Sequence, residues 1–265
     1  MRRVPTRISV LDELIGGGLP KPLTLGILGD SGSGKSVFCY QLTWNLLQQG
    51  FYVLYYATDE SVDEVKDNMS AFSWDVTPYE EKGMLKFVDV FSKGMETIVR
   101  GKPEEVTISP DQVTKISFDF RWMVSEGKNF YLRAVAGKDL LVIYDSLTTL
   151  FLSVEDPRKA LQFVQHLKYA SRVCKAIGVA TLQLGVHDKE IENACRHYAD
   201  GIIEMRCREE GGYLYRYLRI DKMRATTFLE DYFLMEIKDS GIVLHKVPIK
   251  MPIKFEERSD NRIKT

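Results

Sequence analysis

No stretch of the sequence approaches the roughly 18 consecutive apolar residues that a helix needs to cross a bilayer, so no membrane insertion is expected. Neither sign of charge is in excess. The 36 lysines and arginines stand against 37 aspartates and glutamates, a formal net charge of -1. That balance advertises no polyanionic partner and makes nucleic acid and anionic membranes disfavoured ligands. None of the cysteines, Cys39, Cys174, Cys195 and Cys207, forms a C-x-x-C pair, which argues against a structural zinc site. They read as reduced thiols. His187 and His197, with Cys195 between them, match no standard metal spacing and read as solvated loop residues. Met1-Arg2-Arg3 is basic, yet no apolar stretch of signal length follows before Gly16-Gly17-Gly18, so the expected compartment is the cytoplasm. Repeats and low-complexity tracts are also missing. With 45% hydrophobic residues, a full core can form.

What the sequence does have is a glycine-rich octet, Gly29-Asp30-Ser31-Gly32-Ser33-Gly34-Lys35-Ser36. Residues 23–28 before it form an apolar run of strand length behind Pro20 and Pro22. After it, Val37, Phe38, Gln41, Leu42, Leu46 and Leu47 recur at helical spacing until Gly50. The pattern then alternates. Residues 52–57 read as a buried strand, Ser61-Val-Asp-Glu64 as a capping box opening a helix to about Phe72, and residues 85–89 as a third strand. Residues 91–118, with Pro103 and Pro110, read as a loop-rich connection. A helix over about 119–135 leads to the apolar strand 140–145. Asp156-Pro157 is an N-cap and N1 pair for a long helix with Leu161, Val164, Leu167, Ala170, Cys174 and Ile177 on one face and Gly178 as its stop. Residues 179–183 form a further strand, and 184–200 read as a loop. Trp44, Trp74 and Trp122 fall in helical stretches as core or interface residues. Beyond Gly201 only strands are read, over 202–206, 213–222, 232–237 and 242–245, with Gly211-Gly212 as a hairpin turn. The expected fold is α/β: a doubly wound, mostly parallel sheet with helices on both faces and a C-terminal antiparallel extension. One domain over residues 1–245 and a charged tail over 246–265 are expected.

The octet has the form Gly-x-x-x-x-Gly-Lys-Ser of a phosphate-binding P-loop. Its glycines let successive backbone N–H groups converge on a phosphate with no side chains in the way, and the helix that follows adds the positive end of its dipole. The ligand this predicts is a nucleoside triphosphate with Mg²⁺: Lys35 bridges the β- and γ-phosphates, and Ser36 places its hydroxyl on the metal. A second carboxylate for Mg²⁺ belongs at the end of a neighbouring buried strand, where Asp145 stands; as an isolated residue it would pass for a helix cap. Hydrolysis also needs a group that orients the attacking water. Asp59 and Glu60 follow the second strand, whose end opens onto the same crevice, with Glu60 the first choice as base and Asp59 assisting it or ordering Mg²⁺. The plainer alternative is that both acids only favour the dipole of the Ser61 helix. Gln183, ending a buried strand, is a candidate γ-phosphate sensor or an ordinary strand-end residue.

In order along the chain stand Ile8-Ser-Val-Leu-Asp-Glu-Leu-Ile-Gly-Gly-Gly-Leu-Pro20, the P-loop, the acidic pair, Phe72-Ser-Trp-Asp75, Asp145-Ser-Leu-Thr148, Ala199-Asp-Gly-Ile202 and Lys222-Met-Arg224. Over roughly residues 5–245 this series resembles the KaiC-like branch of the RecA superfamily, common among single-domain archaeal ATPases. The resemblance implies a RecA-like P-loop NTPase forming a homo-oligomeric ring, usually a hexamer, with ATP between neighbouring subunits and an adenine preference. It also implies that Lys222 and Arg224 reach the next subunit's γ-phosphate, positive charge delivered in trans. An exposed strand with solvated basic residues is the alternative. Ala225 stands where the family usually has glycine. The autokinase of two-domain members does not carry over, because residues 184–200 contain no serine or threonine. Acidic residues outnumber basic ones in that stretch, which offers little to DNA of the kind RadA-type recombinases bind. Three functions stand side by side: an oligomeric Mg-ATPase that drives or regulates a protein partner; a nucleotide-gated assembly factor like the archaellum-motor ArlH/FlaH proteins; and a recombinase paralogue acting on single-stranded DNA.

Overall fold

The computed structural model describes residues 1–8, 10–96, 120–153 and 157–249. A small antiparallel pair, β1 (Arg2–Val4) and β2 (Leu19–Lys21), flanks a short helix α1 (Leu11–Leu14). The main elements follow as β3 (Leu23–Gly29), α2 (Lys35–Leu47), β4 (Tyr52–Ala57), α3 (Val62–Ser70), α4 (Thr77–Glu81), β5 (Leu85–Asp89), α5 (Val90–Glu96), α6 (Phe120–Val135), β6 (Leu140–Asp145), α7 (Leu147–Leu152), α8 (Pro157–Val173), β7 (Ile177–Gln183), α9 (Lys189–Tyr198), β8 (Gly201–Glu210), β9 (Tyr213–Met223), β10 (Tyr232–Lys238) and β11 (Gly241–Ile249). Nine strands form one sheet in the order β11-β10-β9-β8-β3-β7-β6-β4-β5. Every pair from β8 across to β5 is parallel, and β8 to β11 pair antiparallel. The expected doubly wound sheet with an antiparallel extension is therefore present.

The strand sequences explain this. Every residue of β3 and β6 is buried, as continuous apolar runs covered on both faces require. Side chains alternate between the two layers: Leu25, Ile27, Val53, Tyr55, Leu141 and Ile143 pack under α2, while Leu28, Leu54, Tyr56, Leu140, Val142 and Tyr144 pack under α6, α7 and α8. Parallel neighbours need crossover connections, and their parallel pairing brings the carboxyl ends of β3, β4, β6 and β7 to one edge. That edge is where the glycine octet lies.

The capping box at Ser61 forms as read: the hydroxyl accepts from Glu64 N, and the Glu64 carboxylate accepts from Ser61 N at 2.8 Å. Several local expectations do not hold. Residues 184–200 are not a plain loop, because Ile191, Cys195 and Tyr198 recur at one helical face and Lys189–Tyr198 coils. The long helix ends at Val173 rather than running to Gly178; Lys175 takes a positive φ of 47° in the turn, and Ile177 and Gly178 already belong to β7. The connection expected over 91–118 begins with α5, and Asp156 and residues 97–119 lie outside the described residues. Trp74 is buried in the turn between α3 and α4, not in a helix. Strand β11 runs to Ile249, past the expected start of the tail. Among the described residues, no helix is long and apolar enough to cross a membrane.

Candidate functional site

The octet turns sharply between β3 and α2. Gly32 and Gly34 hold φ values of 73° and 94°, left-handed backbone that side chains resist. Gly29 is glycine for another reason: a Cβ there would lie 2.1 Å from the Met205 carbonyl oxygen of β8. The Lys35 ammonium folds over the loop and donates to the carbonyls of Gly29 at 3.1 Å and Asp30 at 2.7 Å. Burial draws its pKa below the ordinary lysine value, opposed first by Asp145 and then by Asp30.

Asp145 ends β6 with its side chain buried. Tyr55 Oη donates to Oδ2 at 2.8 Å, Thr181 Oγ1 donates to Oδ1 at 2.7 Å, and the Ser36 hydroxyl is a further hydrogen-bond partner. Burial raises the carboxyl pKa, while the Thr181 and Tyr55 hydrogen bonds pull it back. Ser36 and Asp145 therefore meet across α2 and β6, one hydroxyl and one carboxylate, the hard oxygen donors that Mg²⁺ takes together with nucleotide phosphates. Among the described residues no group of three or more His, Cys, Asp or Glu could hold a metal without such help.

The two acids after β4 part company. Asp59 accepts from Ser146 Oγ at 2.6 Å, with Thr58 Oγ1 3.2 Å away, and its charge acts on both Lys35 and Asp145. Fully buried Thr58 fixes this arrangement: its N–H donates to Asp145 O at 2.9 Å, its hydroxyl donates to Ser146 O at 2.7 Å, and the same hydroxyl accepts from Ser146 N. Glu60 turns toward α2 and α3 instead, accepting from Tyr40 Oη at 3.1 Å and Asn68 Nδ2 at 2.9 Å. Gln183 is the register partner of Gly29, and its backbone N–H donates to Thr148 Oγ1 at 2.8 Å. The residue is half-buried at the end of β7.

Lys222 and Arg224 are not part of this edge. Lys222 pairs with Ile202, three residues back along β8 from the partner of Gly29. That is roughly 10 Å down the sheet. Its ammonium donates to the carbonyls of Arg196, His197 and Ala199, closing the C-terminus of α9. Arg224 is exposed and lies 3.7 Å from buried Asp200. Ala225 beside it has a φ of 52°. Replacing Ala225 by glycine is expected to stabilise the fold by about 1 kcal/mol, because L-residues resist that conformation. Thermal unfolding should show the midpoint rising by about 2 °C; a lowered midpoint would refute the account.

Two cradle residues escape sequence reasoning. Arg206 Nε donates to Asp30 Oδ2 at 3.0 Å, joined there by Cys207 N at 2.8 Å, and Arg216 Nε donates to Gly32 O at 2.9 Å. Both come from the β8–β9 hairpin, where basic residues alternate with apolar ones. The only signal was that alternation, and it does not say which strand lies beside β3.

The profile of the family described as "ATPase: KaiC" matches residues 4–248. A UPF0273 protein of Pyrococcus horikoshii is 34% identical over 246 residues, covering 92% of this chain and 94% of its own length. A UPF0273 protein of Thermotoga maritima is 32% identical over 249 residues, 92% of this chain and 96% of its own. A crystal structure of a KaiC-like protein from the hyperthermophilic archaeon Pyrococcus horikoshii has a TM-score of 0.68 at 24% identity, spanning 92% of this chain and 99% of that one. The last likeness concerns the fold alone. With a glycine cradle at the carboxyl edge of a mostly parallel sheet and a family match across nearly all its length, the chain belongs to the KaiC ATPase family.

Proposed function

We propose that this chain is a Mg²⁺-dependent ATPase that hydrolyses ATP between neighbouring subunits of a homo-oligomeric ring, a hexamer in the family's pattern, acting in the cytoplasm to drive or regulate a protein partner. The observation that carries the reading is a division of labour. Lys35, Ser36, Asp59, Asp145 and Gln183 gather at one edge of the sheet, while Lys222 and Arg224 lie beyond reach of the P-loop they share a chain with. A site built this way is complete only when a second copy brings its cations to the first copy's nucleotide.

In that site the backbone N–H groups of residues 29–36 hold the β-phosphate. Lys35 leaves the Gly29 and Asp30 carbonyls for the β- and γ-oxygens. Mg²⁺, held by Ser36 and toward Asp145, would neutralise charge on the phosphates. Asp59, fixed by Ser146 and Thr58, orients the attacking water and takes its proton; Gln183 senses the γ-phosphate. This reverses the order suggested by the sequence, which put Glu60 first. Support for the change is that the Asp59 charge reaches Lys35 and Asp145, whereas Glu60 is engaged by Tyr40 and Asn68.

Steady-state turnover with Mg²⁺ tests both parts. Asp59→Asn is expected to bind ATP and lose at least about 100-fold in kcat, the size of a general base. Glu60→Gln is expected to lose much less. The opposite ranking would restore Glu60 as the base. A parent that binds ATP but shows no turnover at concentrations where rings form would be a nucleotide-gated scaffold of the archaellum-motor kind. Salt-sensitive binding to an oligonucleotide would favour the recombinase reading.

A further inference from the structure

Asp200, buried between β8 and α8, collects more positive charge than it can balance. Its Oδ1 faces Lys168 Nζ at 3.3 Å, Arg172 Nη2 at 3.5 Å and Arg224 Nη1 at 3.7 Å. All three contacts are longer than the roughly 2.7–2.9 Å of a committed charge-assisted hydrogen bond. Lys222 is a fourth cation here: burial and then the Lys168 charge lower its pKa. The other carboxylate acting on Lys222, Asp221, is already held by Arg196 and Arg219. Cations crowded around one shared oxygen repel one another unless a further anion arrives. Arg172 and Arg224 are the outward members, with side chains 49% and 52% exposed. Beside Arg172 on the outward face of α8 stand the exposed Tyr169 and Val173, and tyrosine and arginine together are the residues of a protein interface.

We propose that Arg172 is a further cation supplied in trans, placed beside Arg224 by their shared Asp200 and facing the ATP γ-phosphate held by a second copy of this chain. The inference rests on the interfacial ATP site proposed above. The occupant fits by charge: the P-loop edge of the neighbour presents exposed Asp59, half-buried Glu60 and the nucleotide's phosphates, while this face presents two guanidinium groups that share the single carboxylate of Asp200. Asp200 acts as a loose counter-ion that orders both side chains before the phosphates arrive.

Mixed rings provide the test. Arg172→Ala alone should lower kcat at least about tenfold while ATP affinity and Tm stay at parental values, with Arg172→Lys partly restoring turnover. Co-expressed with Lys35→Ala, the Arg172→Ala chain should regain activity. About a quarter of the interfaces in a random mixture pair an intact P-loop with an intact trans face. Arg224→Ala mixed with Lys35→Ala is the control. Recovery in the Arg224 mixture but not in the Arg172 mixture would make Arg172 a mere partner of Asp200 and overturn the inference, as would parental turnover by Arg172→Ala. Failure of both mixtures to recover would instead overturn the interfacial site itself.

Discussion

Replacing Lys35 by alanine should weaken ATP binding by at least about 100-fold, ~3 kcal/mol, and abolish turnover while leaving the fold intact. The free protein already shows why. The ammonium is part-buried and spends its donors on two loop carbonyls, Gly29 O and Asp30 O, which hold it over the cradle before any phosphate arrives. Carbonyl dipoles are weaker partners than a triphosphate, so the exchange favours the nucleotide. Alanine removes the only cation that the octet itself supplies. Arginine should not rescue, because a planar fork of donors cannot replace a compact charge in a loop closed by Gly29 and Gly34. Titration with ATP, followed calorimetrically beside a thermal melt of the same samples, checks both halves. An unchanged affinity would sink the P-loop assignment; a lost fold would show that Lys35 is structural.

Glu204→Gln is expected to cost about 3 kcal/mol of stability at neutral pH, a large part of what a domain possesses. Glu204 lies inside β8 with its side chain 4% exposed. It accepts from Arg196 at 2.7 Å and from Tyr232 Oη at 2.8 Å, with Arg219 at 3.4 Å and Arg206 at 3.6 Å. Burial alone would raise its pKa, but Arg196, Arg219 and Tyr232 together hold it below the ordinary glutamate value. A carboxylate whose pKa is depressed by folding stabilises the native state above its unfolded value, near 4.5, and that contribution is lost as pH falls through the folded value. Urea unfolding of parent and variant should therefore differ by a constant amount above the unfolded value near 4.5 and converge as pH falls through the lower folded value. A gap that persists undiminished in acid would mean that the charge of Glu204 is not what the arginines hold. Because Arg206 also grips Asp30 of the P-loop, loosening this cluster should disturb nucleotide affinity as well.

Much of this was legible in the sequence because much of it is local. A P-loop is contiguous: eight neighbouring residues supply the turn, the backbone donors, the lysine and the hydroxyl. Strands β3 and β6 announce themselves as unbroken apolar runs because burial on both faces leaves no place for a polar residue. The resemblance placed a family glycine beside Arg224, and Ala225 there does take the left-handed conformation. Helix α9 was lost in a stretch judged by its charge, although its apolar stripe was there to be counted.

What the sequence determined by itself was the cradle, the alternation of strand and helix, and the edge at which Asp145 and Gln183 end their strands. Each of these follows from a pattern within some ten residues. Only the tertiary structure decided that Asp59 bonds Ser146 while Glu60 bonds Tyr40 and Asn68, that Arg206 and Arg216 brace the P-loop, and that Lys168, Arg172 and Arg224 converge on Asp200. Arg206 and Asp30 are 176 residues apart, and their meeting depends on the register of β8 against β3. Adjacent acids after one strand have the same composition whichever way they point. Their direction is set by what waits to bond them, Ser146 and Thr58 for one, Tyr40 and Asn68 for the other, and those partners arrive from other elements only when the sheet has closed.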